Sequence, residues 1–255
     1  MRTLKRIFCN AAAAIVYYGG LLRLYRAVFP RHDRVYLMYH NIADDPNPRG
    51  AYRDNLSPEI FRHQMAFLRC HCSVADIDAP AAGPREVVIT FDDGLETVRI
   101  AALPILDEHG FGAVVFPVLD WIGRPGHLSW EDLAALNHSG RIRFGSHTVS
   151  HDIVGIEDLD ELRDQIVRPK TTLEQRLGVR VEAFAFPGSR IPRHSTLRDI
   201  VTTDFRLSFG VSKTNRSWPP PYRIARIDAA YCTRRHQLAV ALAGVPYLSR
   251  KLGRP

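Results

Sequence analysis

Val87-Val88-Ile89-Thr90-Phe91 runs directly into Asp92-Asp93-Gly94, and the reading of this stretch decides the reading of the whole chain. An unbroken apolar and β-branched run, ended by a carboxylate pair and a glycine, is the pattern of a strand buried on both faces. Shorter runs of the same kind flank it: Val35-Tyr36-Leu37-Met38-Tyr39, ending at His40, residues 113–118, Ile142-Arg143-Phe144 and residues 183–186. Further strands are expected near 207–211 and 224–227.

Between these runs the apolar spacing changes to the helical period. Ser57-Pro58 forms a helix start, Ser as N-cap and Pro at the first helical position, and Phe61, Met65 and Leu68 make its apolar stripe. Residues 96–109 read as a helix kinked at Pro104. Ser129 caps a short helix carrying Leu133 and Leu136. Residues 158–177 read as a helix interrupted at Pro169 and stopped by Gly178, and a last helix is expected over 236–243. Residues 41–50, rich in Asn, Asp, Pro and Gly, read as a loop.

Strand and helix therefore alternate six or seven times, which predicts a parallel sheet with covering helices. The polar clusters follow the C-terminal ends of strands, where barrels of this kind place their chemistry. Four separate strand ends must converge, and a closed or partly closed (β/α) barrel of about seven strands achieves this better than an open sheet.

The 255-residue chain carries a formal charge of +7, unevenly placed. Residues 1–34 hold Arg2, Lys5, Arg6, Arg23, Arg26, Arg31 and Arg34 against Asp33, so +6 lies in the front segment and +1 in residues 35–255. A nucleic-acid-binding domain carries its excess on the folded body, so nucleic acid is not the expected partner. Here the cations bracket an apolar stretch, residues 7–22, which points to an anionic membrane surface. Sixteen helical residues cover about 24 Å, short of the roughly 30 Å hydrocarbon core. The division expected is a membrane-associating helix over 1–31, with a short signal anchor as the second reading, and an α/β domain over 32–255; the competing reading is a surface helix packed on the domain itself. Cys9, Cys70, Cys72 and Cys232 form no disulfide framework.

Three clusters carry chemistry. In Asp92-Asp93, side-chain alternation aims the two carboxylates apart, so one can bind a metal while the other stays free as a base. Taken alone, such a pair is more often a turn or a helix cap. In Ser146-His147-Thr148-Val149-Ser150-His151, two histidines four apart meet on one face of a helical turn and suit a single ion. In Phe184-Ala185-Phe186-Pro187-Gly188-Ser189, a strand stops and exposes backbone N–H groups, a cradle for an oxyanion.

As an ordered set these residues resemble the polysaccharide deacetylase family, also called the NodB-homology or carbohydrate esterase family 4 domain. The likeness runs from about Val35 to Ile227, with Thr90-Phe91-Asp92-Asp93-Gly94 and Ser146-His147-Thr148-x-x-His151 intact and Leu128-Ser129-Trp130-Glu131-Asp132-Leu133 in the family's style. The resemblance implies Asp93, His147 and His151 as metal ligands, Asp92 as general base and the Gly188 N–H as an oxyanion donor. Zinc, cobalt and nickel all accept such a ligand set. A general acid is also required, which most family members supply as a histidine at a late strand end. No such histidine is found there: His236 opens a helix and His194 lies in a loop. Leu37-Met38-Tyr39-His40 has the required form at the N-terminus, which resembles the circularly permuted branch containing poly-N-acetylglucosamine deacetylases, and assigns the acid to His40.

Two departures stand out. Ala185 and Gly188 occupy the positions where the family's third motif carries a base-orienting Arg and an aromatic. Arg223 or Arg226 is the candidate replacement for the arginine, and Trp130 and Tyr39 are candidates to line the sugar site. The expected function is hydrolysis of the N-acetyl, or another N-acyl, group of an amino sugar in a cell-envelope glycan. A glycan-binding protein that retains the pocket without turnover is the alternative, and a zinc peptidase is disfavoured by the lack of His-Glu-x-x-His.

Overall fold

Period-2 alternation on parallel strands sorts the side chains here into two layers. The computed structural model describes residues 2–28, 34–44, 55–80, 83, 85–188, 196–210 and 222–244. Its strands are β1 (Val35–Tyr39), β2 (Asn41–Ile42), β3 (Asn55–Leu56), β4 (Ser73–Val74), β5 (Glu86–Asp93), β6 (Ala113–Pro117), β7 (Ile142–Phe144), β8 (Ala183–Ala185), β9 (Leu207–Gly210) and β10 (Ile224–Asp228). Its helices are α1 (Arg2–Tyr18), α2 (Leu21–Val28), α3 (Pro58–His71), α4 (Leu103–His109), α5 (Trp130–His138), α6 (Leu159–Leu177), α7 (Leu197–Asp204) and α8 (Arg235–Leu242).

The main sheet runs β7-β6-β5-β1-β10-β9-β8, with β4 added on β5, and all its pairings are parallel. Its two ends meet. Just beyond β7, the Ser146 N–H donates to Ala183 O at 2.9 Å and the Ala185 N–H donates to Ser146 O at 2.9 Å, a one-residue parallel bridge to β8 that closes seven strands into a barrel. Gly145 makes that seam possible, because a Cβ there would lie 2.1 Å from the Phe116 ring and 3.0 Å from Ala183 O.

Tyr36, Val88, Val114, Phe116, Ala183, Ala185, Phe209 and Ile224 fill the barrel interior as one cluster. Their neighbours Leu37, Tyr39, Val87, Ile89, Phe91 and Val115 belong to the larger core under the helices. The alternation that sends Val88 inward also sends Thr90 and Asp92 inward, while β10 contributes Ile224 and then Arg226. The chemistry-bearing residues thus sit on top of an apolar plug, at the C-terminal rim.

The helix starts follow their caps. Ser57 Oγ accepts from the Ile60 N–H, with Pro58 opening α3. Ser129 and Asp132 form a reciprocal capping box on α5. Several local expectations are corrected. α6 is continuous through Pro169 rather than interrupted. Burial of Leu162, Ile166 and Leu173 on one face, at about 1.5–3 kcal/mol for each side chain, outweighs the roughly 3 kcal/mol penalty of an interior proline. Residues 96–109 are not one kinked α-helix: a π-helical turn, Val98–Ala102, precedes α4 and leaves Pro104 in its first turn, where no N–H is needed. In the expected loop 41–50, Asn41–Ile42 pairs with Asn55–Leu56 instead, and residues 45–50 lie outside the described set. The apolar stretch 7–22 is not one helix, since Gly19-Gly20 separates α1 from α2.

The front segment packs on the barrel's own helices. Cys9, Ala13 and Leu22 are buried in the main core. Asn10 Oδ1 accepts from Gln237 Nε2 at 3.0 Å and lies 2.7 Å from His236 Nε2. Arg26 donates to Ala239 O at 3.1 Å. Among the described residues, no helix is long and apolar enough to cross a membrane.

Candidate metal centre

At the end of β5 the chain leaves extended geometry abruptly. Asp92 still pairs with Phe116 across β6, but Asp93 has φ 69° and Gly94 φ 71°. A Cβ at Gly94 would meet Pro117 at 2.8 Å, so only glycine lets the strand turn here. The left-handed Asp93 is strained for a non-glycine residue. It is held in a site where its carboxylate faces His147 and His151.

The two histidines come together, but not on a helical turn as the spacing suggests. Residues 146–151 form an irregular loop in which Thr148 and His151 both take φ 68°. Thr148 Oγ1 accepts from the His151 N–H at 3.0 Å, and Gln165 Oε1 of α6 accepts from the backbone and hydroxyl of Ser150, both at 3.1 Å. Thr148 and Val149 carbonyls accept from Leu119 and Asp120 N–H groups. The loop is therefore tied to two neighbouring elements.

His147 is buried, and its Nδ1 lies 2.8 Å from Ala185 O. A carbonyl only accepts, so Nδ1 carries the proton and Nε2 is left with its lone pair. Nε2 of His147 and of His151 stand 3.4 Å and 3.3 Å from Asp93 Oδ1. These separations exceed the 2.7–2.9 Å of charge-assisted hydrogen bonds, and Oδ1 is buried with no hydrogen-bond partner. The ligand atoms of Asp93, His147 and His151 all lie within 4.8 Å of one another. An orphaned carboxylate oxygen between two imidazole nitrogens fits a divalent ion, and two nitrogens with one oxygen leave a coordination position open.

Asp92 is handled differently. The sequence reading kept it clear of the metal, with Arg223 or Arg226 to orient it; in the structure Arg226 clamps it. Arg226 Nη1 and Nη2 donate to its two carboxylate oxygens, each at 2.6 Å, and Nη1 also reaches Thr90 Oγ1 at 3.2 Å. The pair is almost wholly buried, with the guanidinium 5.6 Å from the Phe116 ring centre and 5.7 Å from that of Phe209. Burial would raise the Asp92 pKa, but Arg226, with His147 and His40 adding to it, holds the carboxyl below its ordinary range. Asp93 is held far below its ordinary range against the same burial, by its two imidazole neighbours. Burial lowers the His147 pKa, but Asp92 and Asp93 override it and leave the ring more basic than usual. A carboxylate has about four lone-pair sites, so the two-point clamp leaves acceptor capacity on Asp92.

His40 follows the last β1–β5 pair, Tyr39↔Phe91, which sets it across from Asp92. Its Nδ1 is buried without a hydrogen-bond partner, and its ring is near enough to lower both aspartates. Of the two candidate arginines, Arg226 reaches Asp92; the Arg223 backbone N–H donates to Ser208 Oγ. Gly188 is exposed just beyond β8. Trp130 carries the Arg176 guanidinium 4.4 Å from its ring centre, and Tyr39 is core, its hydroxyl donating to Gln64 at 2.6 Å. The aromatic that touches the cluster is Trp121, whose ring centre lies 4.9 Å from that of His151. Sequence reasoning missed it, since a tryptophan in the 3₁₀ turn Leu119–Trp121 carries no spacing signal. His194 and Ser189 lie outside the described residues.

A parallel β/α barrel with a His-His-Asp cluster at its C-terminal rim is the class that fold and site define. A family model described as polysaccharide deacetylase matches residues 79–206. The chain belongs to the polysaccharide deacetylase family. Over 118 residues it is 27% identical to YxkH, a family protein of Bacillus subtilis, covering 45% of this chain and 42% of that one. Over 144 residues it is 24% identical to the poly-beta-1,6-N-acetyl-D-glucosamine N-deacetylase of Escherichia coli, covering 47% of this chain and 21% of that one. The matches thus span less than half the length of either relative. Among solved structures, IcaB from Ammonifex degensii has the same fold, with a TM-score of 0.68 and 21% identity over 86% of this chain and 98% of that one.

Proposed function

We propose that the protein is a metal-dependent hydrolase that removes the acetyl, or another small acyl, group from the nitrogen of an amino sugar in a cell-envelope polysaccharide or lipid-linked glycan. The observation that carries this reading is the adjacency of an ion-ready cluster, Asp93, His147 and His151, to a second carboxylate oriented by its own arginine. A divalent ion held by that cluster, zinc first with cobalt or nickel as substitutes, would supply Lewis acidity toward water and the acyl carbonyl.

The protein's own groups do the rest. Asp92, kept ionised by Arg226, accepts the proton from the attacking water. His40 delivers a proton to the departing amine, without which the C–N bond does not break productively. The Gly188 N–H offers a donor for the oxyanion. Trp121 presents a flat apolar wall beside His151, suited to the face of a sugar ring. The likeness to a poly-N-acetylglucosamine N-deacetylase supports an N-acyl amino sugar as substrate.

The test is release of acetate and formate from a panel of polymeric and lipid-linked N-acyl sugars, with and without chelator. Chelator-sensitive release of either acid is expected. A purified protein that takes up zinc yet releases neither acid from any member overturns the reading and leaves the glycan-binding alternative.

A further inference from the structure

α1 has two faces at odds with a simple surface helix. Cys9, Asn10 and Ala13 face the core and α8, yet Phe8, Ile15 and Tyr18 are exposed by 70%, 65% and 72%. At about 100° per residue, Phe8, Ile15 and Tyr18 fall in one narrow arc almost opposite Cys9 and Ala13. α2 repeats the arrangement: Leu22 is buried, while Leu21, Leu24 and Val28 share an exposed stripe. Six of the nine large apolar side chains exposed among the described residues lie on these two short helices. A core-facing helix needs one apolar stripe; a second, directed at solvent, marks a surface built for a partner.

Charge identifies the partner. No acidic residue precedes Asp33 in the sequence. Burial first and then Arg85 disfavour the charge on Arg26, and burial first, then Arg26, Arg235 and Arg85, disfavour a charge on His71. Among the described residues, no carboxylate pairs with Arg23, Arg26, Arg85 or Arg235. Arg23 is exposed and flanks the α2 stripe, whereas Arg26 falls on the buried Leu22 side and donates to Ala239 O. An uncompensated Arg23 beside the apolar stripes matches an anionic headgroup layer over acyl chains.

We infer that the exposed faces of α1 and α2 form an interfacial docking surface for an anionic phospholipid bilayer, on which the barrel lies without crossing it. Phe8, Ile15, Tyr18, Leu21, Leu24 and Val28 enter the acyl boundary, and Arg23 meets the headgroups. This surface is separate from the rim chemistry, so its test needs no turnover.

The experiment is co-sedimentation of the full chain with vesicles of phosphatidylcholine alone or mixed with phosphatidylglycerol, at low and high salt. Binding is expected on the mixed vesicles, weakening with salt. Ile15→Glu combined with Leu24→Glu is expected to reduce it by more than about tenfold, and Arg23→Gln by about fivefold. Unchanged zinc uptake and unfolding midpoint establish that the variants are folded. Absence of binding, equal binding to neutral vesicles, or undiminished binding by the folded double variant overturns the proposal. So does a soluble dimer that this double substitution dissociates, since the stripes would then be covered by a second copy.

Discussion

The rim of the barrel and the front helices break the rule of apolar inside and polar outside in opposite directions. At the rim Asp92, Asp93, His147 and Arg226 are buried; at the front Phe8, Ile15, Leu24 and Val28 are exposed. Each departure is informative because of what would relieve it. Buried charge requires a partner: Asp92 has one in Arg226, while Asp93 has only the imidazoles of His147 and His151 at 3.4 and 3.3 Å, a set that could hold a divalent ion. Exposed apolar stripes require cover. Within the rim the contrast repeats at adjacent residues: one carboxylate is clamped at both oxygens by Arg226, and the other has an oxygen without a hydrogen-bond partner.

The difference between the two carboxylates can be tested by removing each feature in turn. The largest effect is expected from Asp92→Asn. Turnover should fall by about 10²- to 10⁴-fold while zinc content, measured by elemental analysis, stays near one per chain; loss of zinc would make Asp92 a ligand and end the division of labour. Asp93→Asn should instead lose the metal and with it chelator-sensitive release. Arg226→Met strands Asp92 as a buried unpaired charge, and about 3–5 kcal/mol of stability should be lost, read from urea unfolding. A change below about 1 kcal/mol would mean that the clamp is not what holds Asp92.

The same pair has a signature in pH. Arg226 lowers the folded-state pKa of Asp92, so its stabilisation is fully present above the unfolded carboxylate range, about 3.9, and is lost as pH falls through the lowered folded value. The gap in urea midpoint between the wild type and Asp92→Asn should therefore stay constant from pH 7 to about pH 5 and close only under stronger acid. A gap already closed at pH 5 contradicts the pairing.

Gly145→Ala probes the seam below both carboxylates. The Phe116 ring must move to admit the methyl, and a loss of about 1–3 kcal/mol is expected from overpacking, with zinc affinity reduced because His147 follows two residues later. The smallest effect belongs to the front. Ile15→Glu with Leu24→Glu should shift intrinsic stability by no more than about 0.5 kcal/mol for each site, because neither side chain is part of the core. A larger loss by thermal melting would place these side chains in a packed interface.

Much of this was legible because local rules and global fold agree. The strand at residues 87–91, the Ser57 and Ser129 caps and the seven-strand parallel barrel follow from periodicity and capping chemistry. The Asp92-Asp93 and His147…His151 motifs could be read as a site only as an ordered set. The misreadings share one cause. α6 runs through Pro169, and His147 and His151 meet across a left-handed loop, because packing against other elements overrode the local preference of a single residue or spacing.

The sequence by itself determined the alternation of strand and helix, the four strand ends that carry polar clusters, and the concentration of charge ahead of the barrel, since each of these is written in residues near one another in the chain. Only the tertiary structure decided that Arg226, 134 positions from Asp92, orients it, that Trp121 lies against His151, and that the front helices turn one apolar face inward and another outward. Those contacts join elements far apart in sequence: β1 lies between β5 and β10 and so brings Asp92 and Arg226 together, and α1 reaches α8 only in the folded barrel.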